Sequence, residues 1–190
     1  ASPYVMKTVQ VDINNPIAFN SSNTIVSTVN ATNPNYDVAV NSSDADAGNA
    51  VFAYNSSAST TLGVGYIGTD GVVGGPGNGF PGVVTIGSTN SNDLITLCTD
   101  RVNTDATEAE RIYVAYSSRT ASAGLKIKRI KSTLTVEATH TVEGSGTEIT
   151  GASVIITQAG DLQIIYTFSA TNTYDYQVKG AVYDVSADTM

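Results

Sequence analysis

The 190-residue sequence predicts an all-β fold made of repeated antiparallel meanders. Three observations carry that prediction. Apolar and polar residues alternate over short stretches, as in Val9-Gln10-Val11-Asp12-Ile13 and Leu134-Thr135-Val136, which is the period of a half-buried strand and not of a helix. Clusters of Gly, Asn, Ser and Pro separate these stretches where turns are needed. A three-strand unit also recurs three times, and repeated units of this kind bury their faces against one another.

The first 35 residues hold short strands around 5–13, 17–19 and 24–29 that do not match the repeat. They read as a leading partial unit, with 36–190 as the repeat domain. The first copy runs from a short apolar strand at 36–40 to a second at 50–54 ending in Tyr54, then to a third at 62–67. The segment 74–82 follows, rich in Gly and Pro. It is expected to be a connecting loop, because Gly costs chain entropy and Pro lacks a ladder donor. The second copy occupies 93–97, 111–116 and 125–130, and its charged stretch 103–111 reads as a loop or one helical turn. The third occupies 152–156, 162–166 and 176–182. A fourth strand is legible at 83–86 in the first copy and at 134–142 in the second, but not in the third. Four-stranded blades in a ring of at least about four are the rule for β-propellers. The expectation is therefore a propeller-like fold, with a two-sheet β-sandwich as the alternative. Three blades leave an open ring, to be closed by another copy, by residues outside this sequence or by the leading segment.

Composition narrows the function. Charged residues make up 14% and hydrophobic ones 41%, so a real core sits under a surface of Ser, Thr, Asn and Gly, as in extracellular and virion β-proteins. A net charge of -8 argues against nucleic acid and anionic membrane, which require a basic face. No apolar run approaches the roughly 20 residues that a spanning helix needs. The start, Ala1-Ser2-Pro3-Tyr4, lacks the pattern of a signal peptide and an initiating Met, as expected of a processed product or a piece of a longer chain. The single cysteine, Cys98, lies in an apolar strand and reads as a small buried thiol.

Several residues are candidates for chemistry. Asp44 and Asp46, in Asp44-Ala45-Asp46-Ala47-Gly48-Asn49, space carboxylates as a calcium site would. The plainer reading is a solvated turn, and no other cofactor is expected. Lys126, Lys128, Arg129 and Lys131 read as an outer edge strand guarded by charge, or as a docking patch for an anionic partner. Asp100, Asp105, Glu108 and Glu110 supply the carboxylates of a conceivable glycosidase, but without the aromatic platforms that Trp would provide. His140 is the only histidine, so a triad or multi-histidine site would depend on it alone. Tyr54, Tyr116 and Tyr166 recur at equivalent positions and read as packing residues. Tyr174 and Tyr176 flank Asp175 in the last turn, where aromatics beside a carboxylate can stack on a sugar ring, so these three form the candidate ligand site. Sequons at Asn20, Asn30, Asn41 and Asn55 are expected by chance in so Asn- and Ser-rich a chain.

The copies NAVFAYNSSASTTLGVGYI and RIYVAYSSRTASAGLKIKRI, each following a short apolar strand, resemble degenerate propeller repeats of bacteriophage tail fibres and related adhesins, and more distantly sialidase blades. The Asp-box of sialidases is unmatched, and the chain contains no Trp. The resemblance implies a non-enzymatic structural and adhesive component of a virion or cell surface. Such a component presents loops to copies of itself, to other surface proteins or to a glycan. A divergent propeller glycoside hydrolase and a purely structural assembly subunit are the alternatives.

Overall fold

In the computed structural model, residues 4–11, 19–29, 35–40, 50–55, 61–68, 73–74, 82–88, 92–100, 111–118, 124–169 and 175–190 are described. The chain forms β1 (Tyr4–Val11), β2 (Phe19–Val29), β3 (Tyr36–Val40), β4 (Ala50–Asn55), β5 (Thr61–Ile67), β6 (Val84–Ser88) and β7 (Asn92–Thr99). It continues through β8 (Ile112–Ser118), β9 (Leu125–Ile130), β10 (Val136–Glu143), β11 (Glu148–Ile156), β12 (Leu162–Ser169) and β13 (Gln177–Tyr183). Every pairing is antiparallel between sequence neighbours. The sheets are β1-β2, β3-β4-β5-β6, β7-β8-β9-β10 and β11-β12-β13.

The repeat thus folds into three meanders in series. The leading segment is one antiparallel pair, in which 19–29 runs as a single strand against β1. The third meander stops at three strands. Beyond Tyr183 the chain closes a turn in which Asp184 and Thr189 exchange both backbone hydrogen bonds, with Asp188 in the left-handed region at φ 56°.

Two apolar cores hold the meanders together. The first joins the first and second sheets through Val51, Leu62, Val64 and Tyr66 on one side and Leu97, Ile112, Val114 and Ile130 on the other. The second joins the second and third sheets through Tyr113, Ile127, Leu162, Ile164 and Tyr183. The middle sheet is therefore covered on both faces, which explains why Ile112-Tyr113-Val114-Ala115-Tyr116 is an unbroken apolar run in which every residue is buried. β12 alternates buried and exposed positions instead, since only one of its faces is packed. Each large side chain in these cores stabilises the stack by about 1.5–3 kcal/mol. Three sheets sharing two cores exclude the sandwich, which has one core between two sheets.

A third, smaller cluster lies on the far face of the first sheet. Phe52 and Tyr54 stack at 5.9 Å and lie flat over Gly65 and Gly63, where a Cβ would come within 3.0 Å of their rings. The charged strand β9 corrects an expectation. It is not an outer edge, because β8 and β10 flank it on both sides. Its charges are tolerated there because Lys128 lies over the Tyr116 ring while Arg129 finds two carboxylates.

Candidate functional site

The first strands of the three meanders, β3, β7 and β11, come together at the inside of the stack. Asp37 fixes β3 to β7. One carboxylate oxygen accepts the Val38 N–H and the other the Leu97 N–H, both at 2.8 Å. The Thr99 hydroxyl adds a bond of 2.7 Å to the Val40 carbonyl. Between these strands opens a shallow cavity of about 250 Å³, lined by Val40, Leu97, Cys98, Thr99, Ile155 and their neighbours. No charged side chain lines it, so it suits an apolar group and offers no acid or base. Burial pushes the Cys98 thiol up to about 12, aided by the negative charges of Asp100 and Asp37. It is therefore not a nucleophile at neutral pH.

A polar network lies where the second sheet meets the last turn. Glu137 on β10 accepts the Arg111 Nε–H at 2.8 Å, with Arg129 Nε at 3.2 Å and Lys131 Nζ at 3.6 Å. Arg129 also reaches Asp188 at 2.8 Å and donates to the Tyr183 hydroxyl at 2.9 Å. His140 Nε2 lies 2.9 Å from Asp188, and the Tyr183 hydroxyl donates to the same carboxylate. The Tyr183 hydrogen bond, with Arg129 and His140, holds the Asp188 carboxyl below its ordinary range. Burial, followed by the bond to Asp188, raises the Tyr183 phenol. His140 is thus committed to latching the last turn onto the second sheet.

At the opposite end of the seam between the second and third sheets, Glu143 accepts Tyr166 Oη–H at 2.8 Å and Lys179 Nζ at 3.0 Å. The Lys179 ammonium sits 3.7 Å from the centre of the Phe168 ring. Burial raises the Glu143 carboxyl, but the Lys179 and Tyr166 hydrogen bonds outweigh it and leave the group below its ordinary value.

Asp44, Asp46 and Tyr174 lie outside the described residues, as do Asp105, Glu108 and Glu110. Asp175 and Tyr176 are exposed just before β13. β13 begins with Gln177 across from Phe168, which pairs with Ile149 at the start of β11, so the two residues lie at the end of the third sheet away from the cavity wall at Ile156. Asp175 with Tyr176 and the cavity are therefore separate surfaces. Asp100 is buried beside Arg111, with its backbone N–H bonded to the Arg111 carbonyl. Tyr54, Tyr116 and Tyr166 are buried as expected. Asn55 is fully buried, which rules it out as a glycan acceptor. Among the described residues no three His, Cys, Asp or Glu side chains are grouped to hold a metal ion.

Sequence reasoning missed the exposed apolar faces: Tyr36, Val38 and Val40 on the first sheet, and Ile155, Ile165, Val178 and Val182 on the third. The signal was present. β13 carries Val178 and Val182 on one face and Tyr183 on the other, a strand composed to be covered twice.

No protein-family profile matches the chain, and no curated protein matches it. Among solved structures it is similar to an exo-β-1,3-galactanase from Phanerochaete chrysosporium, crystallised with β-1,3-galactotriose, at 13% identity and a TM-score of 0.48. The similarity covers 97% of this chain and 44% of that one, so the chain spans less than half the length of that protein. The sheet order and the two shared cores establish the fold without it. This is an all-β protein of repeated antiparallel meanders in propeller-like order.

Proposed function

We propose that the chain is a structural and adhesive blade module of an extracellular or virion surface, holding its loops rigidly toward a partner or a surface glycan. One observation carries the reading. The clustered carboxylates of the described residues are spent on joining strands or sheets or latching a turn, as Asp37, Glu137, Glu143 and Asp188 all are, whereas several large apolar and aromatic side chains, among them Tyr36, Val38, Ile165 and Val178, are left exposed. Surfaces of that kind bind, and they lack the convergent polar groups that catalysis needs. The neutral, hydroxyl-rich composition supports an extracellular or virion setting.

The test is a glycan array with the purified chain, followed by Tyr176→Ser. Binding weakened by about tenfold in the variant supports adhesion through the 174–176 turn, since one stacked aromatic contributes on the order of 1–2 kcal/mol. An array with no signal reduces the role to assembly alone.

A second reading, a propeller glycoside hydrolase, has one observation on its side. Asp37 and Asp100 both lie close enough to Cys98 to raise its pKa, which places two carboxylates near the inner strands. Release of reducing sugar from aryl glycosides or β-1,3-galactan, lost in both Asp37→Asn and Asp100→Asn, would replace the adhesive reading. Asp37 already spends both oxygens on backbone amides, and the expected result is no release.

A further inference from the structure

The charged side chains of the middle sheet are sorted by face. Toward the third sheet, Arg129 lies across from the core residue Tyr113 and is neutralised by Glu137 and Asp188, while Glu143 is neutralised by Lys179. The face toward the first sheet is different. Tyr116 and Val114 belong to the first core, and the residues across from them on β9 are Lys126 and Lys128. One strand further out, on β10, Thr141 and Thr139 continue the same two rows. Two ammoniums about 6.6 Å apart along the strand are thus set beside two hydroxyls. Lys126, Thr139 and Thr141 are exposed and Lys128 is half-buried.

Among the described side chains no carboxylate pairs with either lysine. The strands β3 to β6 contain one charged residue, Asp37, and it is spent on backbone amides. The connection 119–123 between β8 and β9 adds Arg119 to the sequence and no acid. Lys128 is also held in place, since its Nζ lies 5.8 Å from the centre of the Tyr116 ring and donates to the Thr139 hydroxyl at 3.2 Å. Burial, followed by the charge of Lys126, lowers the Lys128 pKa, so the two ammoniums repel one another across the patch. In a chain of net charge -8 the sign of the surface is reversed here.

We propose that Lys126 and Lys128, with Thr139 and Thr141, form a binding site for an acidic polysaccharide, its carboxylate or sulfate group between the ammoniums and its ring hydroxyls on the threonines. Threonine hydroxyls both donate and accept, as sugar hydroxyls do. A protein partner is disfavoured, because interface centres are rich in aromatic residues and Arg and poor in Lys. A nucleic acid would meet two ammoniums against the net charge of the whole chain. This inference deepens the adhesive reading and rests on it, but it names the charge of the ligand and a site on a different sheet from Tyr176.

The experiment is affinity electrophoresis of the intact chain through native gels that contain polygalacturonate, dextran sulfate, uncharged dextran or poly-L-glutamate. Retardation is expected with an acidic polysaccharide and not with dextran; polygalacturonate alone assigns a carboxylate ligand, dextran sulfate alone a sulfate, and both a site for either anion. Lys126→Gln combined with Lys128→Gln should weaken the binding by about tenfold or more, and raising salt from about 20 to about 200 mM should do the same. Lys131→Gln is the charge control, since Glu137 already neutralises that lysine, and it should bind as the wild type does. Circular dichroism and urea unfolding check that the variants fold. No retardation by either acidic polysaccharide overturns the proposal, as does retardation that survives the double substitution or is lost equally in Lys131→Gln. Stronger binding to poly-L-glutamate than to both polysaccharides also overturns it, and assigns the patch to an acidic protein. Acidic-polysaccharide binding lost in Tyr176→Ser but kept in the double lysine variant would remove this site while leaving the adhesive reading standing.

Discussion

Replacing Gly124 by alanine tests the close joint between the start of β9 and the end of β10, from which Glu143 reaches the third sheet. Gly124 precedes β9 with φ at +67°, and an added Cβ would lie 2.0 Å from the Glu143 carbonyl oxygen and 2.3 Å from that of Gly144. Both obstacles are backbone, so no rotamer change relieves them. The left-handed conformation alone costs an alanine about 1–2 kcal/mol. Moving the end of β10 aside adds about 1–3 kcal/mol, of the size measured for overpacked sites. It also pulls Glu143 from Tyr166 and Lys179 and strains the bond of 2.9 Å from the Ser117 hydroxyl to the Gly124 carbonyl. The sum is about 2–5 kcal/mol, or a melting temperature lower by about 10 °C in a chain of this size. Gly160→Ala is the matched control. It shares the positive φ, at +94°, but its Cβ would meet nothing within 4 Å, so only the conformational cost of about 1–2 kcal/mol applies. Urea unfolding of both variants separates the two contributions. Equal losses for Gly124→Ala and Gly160→Ala would refute the claim that backbone contact at Gly124 governs the joint.

Further expectations follow from the polar groups. Glu143 and Asp188 both have folded pKa values below their ordinary ones, so they contribute stability above the unfolded carboxylate value of about 4 and lose it as pH falls through the lower folded values. The urea midpoint should fall between about pH 4 and pH 2, and a Glu143→Gln, Asp188→Asn double variant should show a shallower fall; an unchanged slope rejects the assignment. Glu137→Gln should cost about 1–3 kcal/mol, because it weakens the hydrogen bonds of Arg111 and Arg129, both nearly buried, to their shared anion while Arg129 keeps Asp188; a loss under about 0.5 kcal/mol in denaturant titration counts against that. Native Cys98 should react with a thiol reagent about 1000-fold more slowly than the urea-unfolded chain, since its pKa rises from 9.0 to about 12; comparable rates would mean that the inner strands open freely.

The strands were legible because alternation and turn chemistry are local, and the repeat placed β3 to β5, β7 to β9 and β13 within a residue or two, while β11 starts four residues earlier and β12 ends three residues later than read. That residues 148–190 supply three strands to the third meander was legible for the same reason. Relations across strands were not. The charges at 126–131 suggested an edge, but the hairpin through Leu134 adds β10 outside them. That turn holds a leucine at φ 61°, where glycine would be the local choice, because its side chain is anchored in the first core. Glu137 gave no sign of its role, since the groups it gathers lie on three strands and meet only through the pairing of β8, β9 and β10. The ligand triplet was half visible: Asp175 and Tyr176 are exposed as expected, and Tyr174 lies outside the described residues.

The middle sheet, covered on both faces, makes the protein a one-dimensional array of three units with an indispensable centre. Among the described residues the outer sheets share no apolar core with each other, and each shares one with the middle sheet β7 to β10. Loss of an outer sheet removes one interface, while loss of the centre removes both. Cooperativity is therefore unevenly distributed along the sequence. Amide protons of 112–117 should exchange last, only on global unfolding, and the terminal sheets should open first in smaller, independent steps.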